Sequence, residues 1–201
     1  MKRLVVATRN KGKVIEINAL LTGLVDKVSG AVDFEDFPET LEDGLTFEEN
    51  ALKKARTALK FTGFPSLADD SGLVVDALNG RPGVFSARYA GEFADDVSNN
   101  SLLLEEMLNV SPDKRTASFV SVLAFVTPDG VEKIFKGTLS GNILFEARGE
   151  GGFGYDPLFL VEEFGRSMAE LTLSEKNTVS HRAMAFKKFR EYLEGKSEFE
   201  E

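Results

Sequence analysis

The chain has 201 residues, 42% of them hydrophobic and 28% charged, with a formal net charge of −9 and no cysteine. That composition is ordinary for a globular protein with one substantial core, and it excludes disulfides and thiolate zinc sites. An acidic chain also lacks the broad basic face that nucleic acid or an anionic membrane needs, so a polyanionic ligand must be met by a local basic cluster.

The opening stretch MKRLVVATRNKGK holds only a short apolar run, Leu4 to Ala7, too short for a signal-peptide core or a membrane span. A cytoplasmic protein with one domain over residues 1–201, frayed from Glu194 onward, is the expectation. In chain order, RLVVAT predicts a buried strand, RNKGK a polar turn, and VIEINALL a helix with Val14, Ile17, Leu20 and Leu21 at helical spacing. Thr46 and Glu49 form a capping-box pattern that predicts a helix with Phe47, Ala51, Ala55 and Leu59 inward. Another helix is expected around Ser98 to Leu108.

From Thr116 to Lys136, two β-rich runs flank the turn residues PDG, which predicts a hairpin, and TLSGNILFEA predicts a further strand. The last element, SHRAMAFKKFREYLE, carries an apolar stripe of Ala183, Phe186, Phe189 and Leu193. The fold class is therefore α/β, a mixed sheet with flanking helices and a β-hairpin.

Four clusters carry chemistry. ATRNKGKV lies where a strand gives way to a helix, a place that favours phosphate. It is not a P-loop, because Ala7 and Val14 stand where Gly and Ser or Thr are required. What remains is Thr8, Asn10 and Lys13, which read equally as a helix cap and a surface lysine. In SLADDSGLVVD, Asp69 and Asp70 are either turn residues before Gly72 or a carboxylate pair that a divalent cation stabilises. Magnesium suits few protein carboxylates plus substrate phosphates, and Glu42 in TLEDGLTF is a third candidate, with Glu39 and Asp43 as competitors.

GEGGFGYDPLF places four glycines around Phe153 and Tyr155, a backbone free to approach a ligand and a ring to stack on a base, or else aromatics that plug the core. SEKNTVSHR sets Lys176, His181 and Arg182 near the start of the final helix. His181 is the sole histidine; a lone histidine serves structure more often than catalysis, while the adjacent Arg182 favours a donor cluster.

Together, T-x-N-x-x-K, LADDSGL, GGFGYDPLF and AELTLSEKNTVSHR in this order resemble the inosine triphosphate pyrophosphatase family, from Leu4 to about Leu193, with GLTFEENALKKA and GRPGVFSARYAG also matching. The resemblance implies that family's fold, with an active-site cleft. It also implies Mg²⁺-dependent hydrolysis of the purine nucleoside triphosphates ITP, dITP and XTP to monophosphate and pyrophosphate, in a homodimer that cleanses the nucleotide pool. By that likeness Thr8, Asn10, Lys13 and Lys54 hold the triphosphate, Glu42 and Asp70 serve the metal, and Asp70 is the proton acceptor. Ser71 touches substrate, while Phe153, Gly154, Tyr155, Asp156, Lys176, His181 and Arg182 line the nucleoside pocket. Arg9 departs from the glycine many members carry there and would be awkward at a positive φ.

The chemistry is consistent with in-line attack of water and a cationic clamp on the leaving pyrophosphate. It places Asp69 and Asp70 at a strand end, with a neighbouring cation keeping Asp70 ionised. Two alternatives use the same residues. One is a pyrophosphatase for other nucleotides, as in the related septum-inhibitor-type enzymes, which lack the SHR cluster and FGYD loop as found here; the other is a non-catalytic nucleotide-binding module.

Overall fold

In a computed structural model, residues 1–9, 14, 17, 18 and 20–197 of the chain are described, the last two as backbone only. Strand β1 (Leu4–Val6) is buried throughout, as a parallel strand with a neighbour on each side must be. It pairs in parallel with β2 (Val28–Gly30) and with β3 (Ser66–Val75). Val14, Ile17, Asn18 and Leu20 are helical, in line with the helix expected after β1.

Helix α1 (Phe47–Thr62) begins where the capping pattern places it. The Thr46 hydroxyl accepts from the Glu49 amide at 3.1 Å, while the Glu49 carboxylate reaches one residue further back, to the Leu45 amide at 2.7 Å. Gly63 in the left-handed conformation ends the helix by returning its N–H to the Leu59 carbonyl. Phe47, Ala51 and Ala55 are buried as expected; Ala58 takes the deep position and Leu59 is half-buried.

Helix α2 (Asp96–Glu106) is capped by Asp95, whose carboxylate accepts from the Ser98 amide at 2.8 Å. Strands β4 (Thr116–Val126) and β5 (Glu132–Ile143) are neighbours in the sheet, joined by the expected tight turn over residues 127–131. TLSGNILFEA is not a further strand: its first half continues β5 without a break. Gly141 lets that continuation lie against β6 (Phe159–Val161), since a Cβ there would stand 2.2 Å from the Leu160 carbonyl oxygen. β6 runs antiparallel to β5 and to the short β7 (Arg166–Ser167), and the seven strands lie in the order β2-β1-β3-β4-β5-β6-β7. Helices α3 (Leu173–Val179) and α4 (His181–Ser197) follow. α4 continues past Glu194, where the composition predicts fraying; residues 198–201 lie outside the described residues. No helix among the described residues is long and apolar enough to cross a membrane.

Two compact units are built on this frame. The first comprises residues 1–70, 121–136 and the chain from Ala185. Its core gathers Leu4, Ile17, Leu21, Leu67, Phe125, Phe186 and Phe189, with a smaller cluster of Val5, Ala31, Phe37 and Ala58. Ala185, not Ala183, completes the buried stripe of α4.

The second unit comprises residues 71–120 and 137–184, with Leu73, Leu103, Met107, Phe119, Leu158 and Phe159 at its centre. Within it lies a buried guanidinium. Arg115 donates to the carbonyls of Met107, Ile143 and Leu144 at 2.7–2.8 Å, and its charge lies 4.1 Å from the centre of the Phe145 ring. One planar fork thereby satisfies three backbone acceptors. Arg115→Ala strands those carbonyls and should cost about 3 kcal/mol, read as a lower urea midpoint; Arg115→Lys should recover little, because one ammonium cannot span the three acceptors.

Candidate active site

The first group of candidate residues belongs to the first unit. Asp69 and Asp70 are the fourth and fifth of the ten residues of β3. They form neither a turn nor a strand end, contrary to the sequence expectation, because the apolar residues on both sides join one continuous ladder. Successive strand residues face opposite ways, so the two carboxylates do not lie side by side. Asp69 accepts from the Ser121 hydroxyl at 2.8 Å. Asp70, buried on the other face, accepts from Lys54 Nζ at 2.8 Å.

Lys54 projects from the middle of α1, and its ammonium also stands 3.4 Å from Glu42 Oε1. Burial pushes the Asp70 carboxyl above its ordinary value of 3.8, against the pull of Lys54; the charges of Glu42 and Asp69 push the same way as burial. Desolvation thus outweighs the pull of the one ammonium, and the net shift is upward. Of the competing acidic neighbours, Asp43 is committed to Lys53 at 2.5 Å.

Thr8, Arg9, Glu39, Glu42 and Lys54 line one concavity of this unit. Arg9 fits without strain, since among the described residues the non-glycine positions with positive φ are Asp36 and Asn79. Its guanidinium donates to the Phe37 carbonyl at 2.7 Å. Asn10 and Lys13 lie outside the described residues. Among the described residues no three or more histidines, cysteines or carboxylates gather as a cage for a metal. Glu42 and Asp70 converge on one ammonium, and are two carboxylates of this unit that could hold a divalent cation.

The second group belongs to the second unit, where Ser71, Phe153, Gly154, Tyr155, Asp156, His181 and Arg182 line a cavity of about 150 Å³. That is below the roughly 300 Å³ at which a pocket encloses a drug-sized ligand, so it encloses only part of one. Tyr155 is not a ring free to stack. It is buried in the core, and its hydroxyl donates to the Ser86 carbonyl at 2.9 Å; burial pushes its phenol upward. The accessible ring is Phe153, with 62% of its surface exposed.

Asp156 is buried and ion-paired with Lys176 at 2.8 Å. Burial pushes its carboxyl up while Lys176 opposes the shift. Lys176 is thus tied to this group through Asp156 and is not itself in the cavity wall. Three of the four glycines of this loop, Gly149, Gly151 and Gly152, serve the protein's own packing, while Gly154 has open space around it and lines the cavity. At Gly152, where φ is +83°, a Cβ would lie 2.0 Å from Asp156 Oδ2 and 2.6 Å from Lys176 Nζ; at Gly149 and Gly151 it would meet Ala169 and Glu170.

His181 and Arg182 open α4 directly after Ser180, whose hydroxyl accepts from the Ala183 amide at 3.1 Å. Both are 8% exposed. The imidazole stacks on Phe119, with ring centres 4.9 Å apart and planes 15° apart. Arg182 reaches the Ser71 hydroxyl at 3.4 Å, and its guanidinium carbon lies 5.7 Å from the Phe153 ring centre. Phe119, Ser86 and Asp96 also line the cavity, and sequence reasoning missed all three. Phe119 is one apolar residue among many in β4, and nothing local marks which of them faces a pocket.

The chain is 58% identical over 193 residues to the dITP/XTP pyrophosphatase of Geobacter sulfurreducens, covering 96% of this chain and 97% of that one. It is 50% identical over 186 residues to the dITP/XTP pyrophosphatase of Exiguobacterium sibiricum, covering 92% and 94%. Its fold matches the structure of the Staphylococcus aureus Ham1 protein with a TM-score of 0.91 at 41% identity, covering 97% of this chain and all of that one. The pattern of the Ham1 family spans residues 4–192, and the chain belongs to that family.

Proposed function

We propose that the protein hydrolyses dITP, XTP and ITP to the nucleoside monophosphate and pyrophosphate, with magnesium. Relatives named dITP/XTP pyrophosphatase over nearly the whole chain support the activity. The observation that carries it is Asp70: a carboxylate buried in a rigid strand, its proton affinity raised, in contact with an ammonium and near a second carboxylate. A base tuned upward and fixed on a strand is suited to taking a proton from water.

In this reading Thr8, Asn10, Lys13 and Lys54 hold the phosphates, and Glu42 and Asp70 hold the magnesium, which when bound neutralises phosphate charge. Asp70 accepts the proton of a water whose oxygen bonds to the α-phosphorus; the bond from that phosphorus to the bridging oxygen breaks, and pyrophosphate leaves with its charge met by Lys54. Asp69, turned to Ser121 on the opposite face, takes no part.

At the base, Ser71, Phe153, Gly154, Tyr155, Asp156, Lys176, His181 and Arg182 form the nucleoside site, Tyr155 as part of its frame. Hypoxanthine and xanthine present an oxygen at position six, where adenine presents an amino group. Arg182, with His181 and backbone N–H groups, supplies donors that match that oxygen and meet only another donor in the adenine amino group. The same proposal has the enzyme working as a homodimer in the cytoplasm, cleansing the nucleotide pool.

Two substitutions test the assignment. Asp70→Asn should lower ITP turnover by about a hundredfold or more with an unchanged circular dichroism spectrum, and retained turnover would remove Asp70 from its role. Arg182→Ala should lower the ratio of kcat/KM for ITP over ATP by about tenfold or more; an unchanged ratio, measured by product chromatography, would place base selection elsewhere.

A further inference from the structure

The peptide Phe153–Gly154 forms part of the wall of the nucleoside pocket. The Phe153 ring is largely solvent-exposed, and a Cβ built on Gly154, where φ is +60°, would meet nothing within 4 Å. The turn itself holds Phe153, whose amide donates to Asp156 Oδ2 at 3.4 Å and whose carbonyl accepts from the Asp156 amide at 3.3 Å. Gly154 is held by two side chains one turn apart on α2. Asp96 Oδ2 accepts from the Gly154 amide at 2.6 Å, and Asn100 Nδ2 donates to the Gly154 carbonyl at 2.9 Å. Both polar groups of one residue are thus gripped from a single helix face.

Asp96 lies in the first turn of α2, where a carboxylate also favours the helix dipole. Capping of α2 is done by Asp95. Holding the adjoining wall falls to Asn99, which is buried and bonds the Ala90 amide and the Ala87 carbonyl. Asn100 is turned so that its Nδ2 faces Gly154, and its own buried Oδ1 has no hydrogen-bond partner among the described residues. A buried acceptor left unmet is unfavourable, so the amide's orientation favours the loop over itself. Asp96, in addition, borders the cavity.

We infer that Asp96 and Asn100 are positioning residues, a two-point clamp on Gly154 that sets the Phe153 ring at the mouth of the nucleoside pocket before substrate arrives. The inference rests on the proposed function for its substrate, but the clamp itself is independent of it. A pre-set wall spares the ordering of the loop on binding, so its loss should fall on KM and leave the chemical step alone.

The test pairs two measurements on Asp96→Ala, Asn100→Ala and the conservative Asp96→Asn, which keeps an acceptor for the Gly154 amide. Amide hydrogen exchange without nucleotide should be faster by about tenfold across residues 152–155 in the two alanine variants, with β4 unchanged. With magnesium and ITP, KM should rise by about tenfold with kcat within about threefold, and Asp96→Asn should restore most of both. Faster exchange with unaltered KM, or unaltered exchange in both alanine variants, overturns the inference. A parent protein that fails to hydrolyse ITP refutes the proposed function, and exchange then decides the clamp alone.

Discussion

A carboxylate held inside a sheet is the constraint around which the first unit is organised. β3 has strand residues before and after Asp70, so its backbone cannot swing the side chain out to water, and the alternation of the strand sends Asp69 to the other face. Burial then raises the cost of ionisation, and the structure answers it with Lys54 from α1 at 2.8 Å. One ammonium partly offsets the desolvation. A carboxylate so placed is poised to bind a proton or a cation, and the capped, fully helical α1 keeps Lys54 at the distance that sets this balance.

The second unit solves a different problem with different means. Its cavity is walled by residues of β3 and β4 as well as by loops and helix starts, and polar contacts to the backbone fix several of these walls. Ser86 accepts from the Leu73 amide and takes the Tyr155 hydroxyl on its carbonyl. Gly152 admits the Asp156–Lys176 pair into space that a methyl group would fill. Arg115 ties three carbonyls together at the base of the same unit. Residues that look like ligand-approach features in a linear string are in large part the scaffold that keeps Phe153, His181 and Arg182 where they are.

Much of the fold was legible because its signals are local. Thr46 with Glu49 marks the start of α1, PDG marks the turn between β4 and β5, and the spacing of Phe186, Phe189 and Leu193 marks α4. The misreadings arise where two local signals compete and neighbours decide. Asp-Asp-Ser-Gly is good turn chemistry, yet strand pairing on either side draws it into β3. Phe145 to Ala147 continue a strand-like string, yet β5 ends at Ile143. Tyr155 reads as a stacking ring until its hydroxyl is seen bound to the Ser86 carbonyl across 69 residues of sequence.

By itself the sequence determined the α/β class, the absence of cysteine chemistry and the order of the four polar clusters. Those follow from composition, periodicity and motif spacing, which need no knowledge of distant neighbours. Tertiary structure alone decided which of two adjacent aspartates is buried, that its proton affinity goes up, that Tyr155, Gly149, Gly151 and Gly152 serve the frame, and that Asp96 and Asn100 grip Gly154. Burial, ion pairing and hydrogen bonding depend on residues brought close by the fold, and the strength of each depends on how much water the fold excludes.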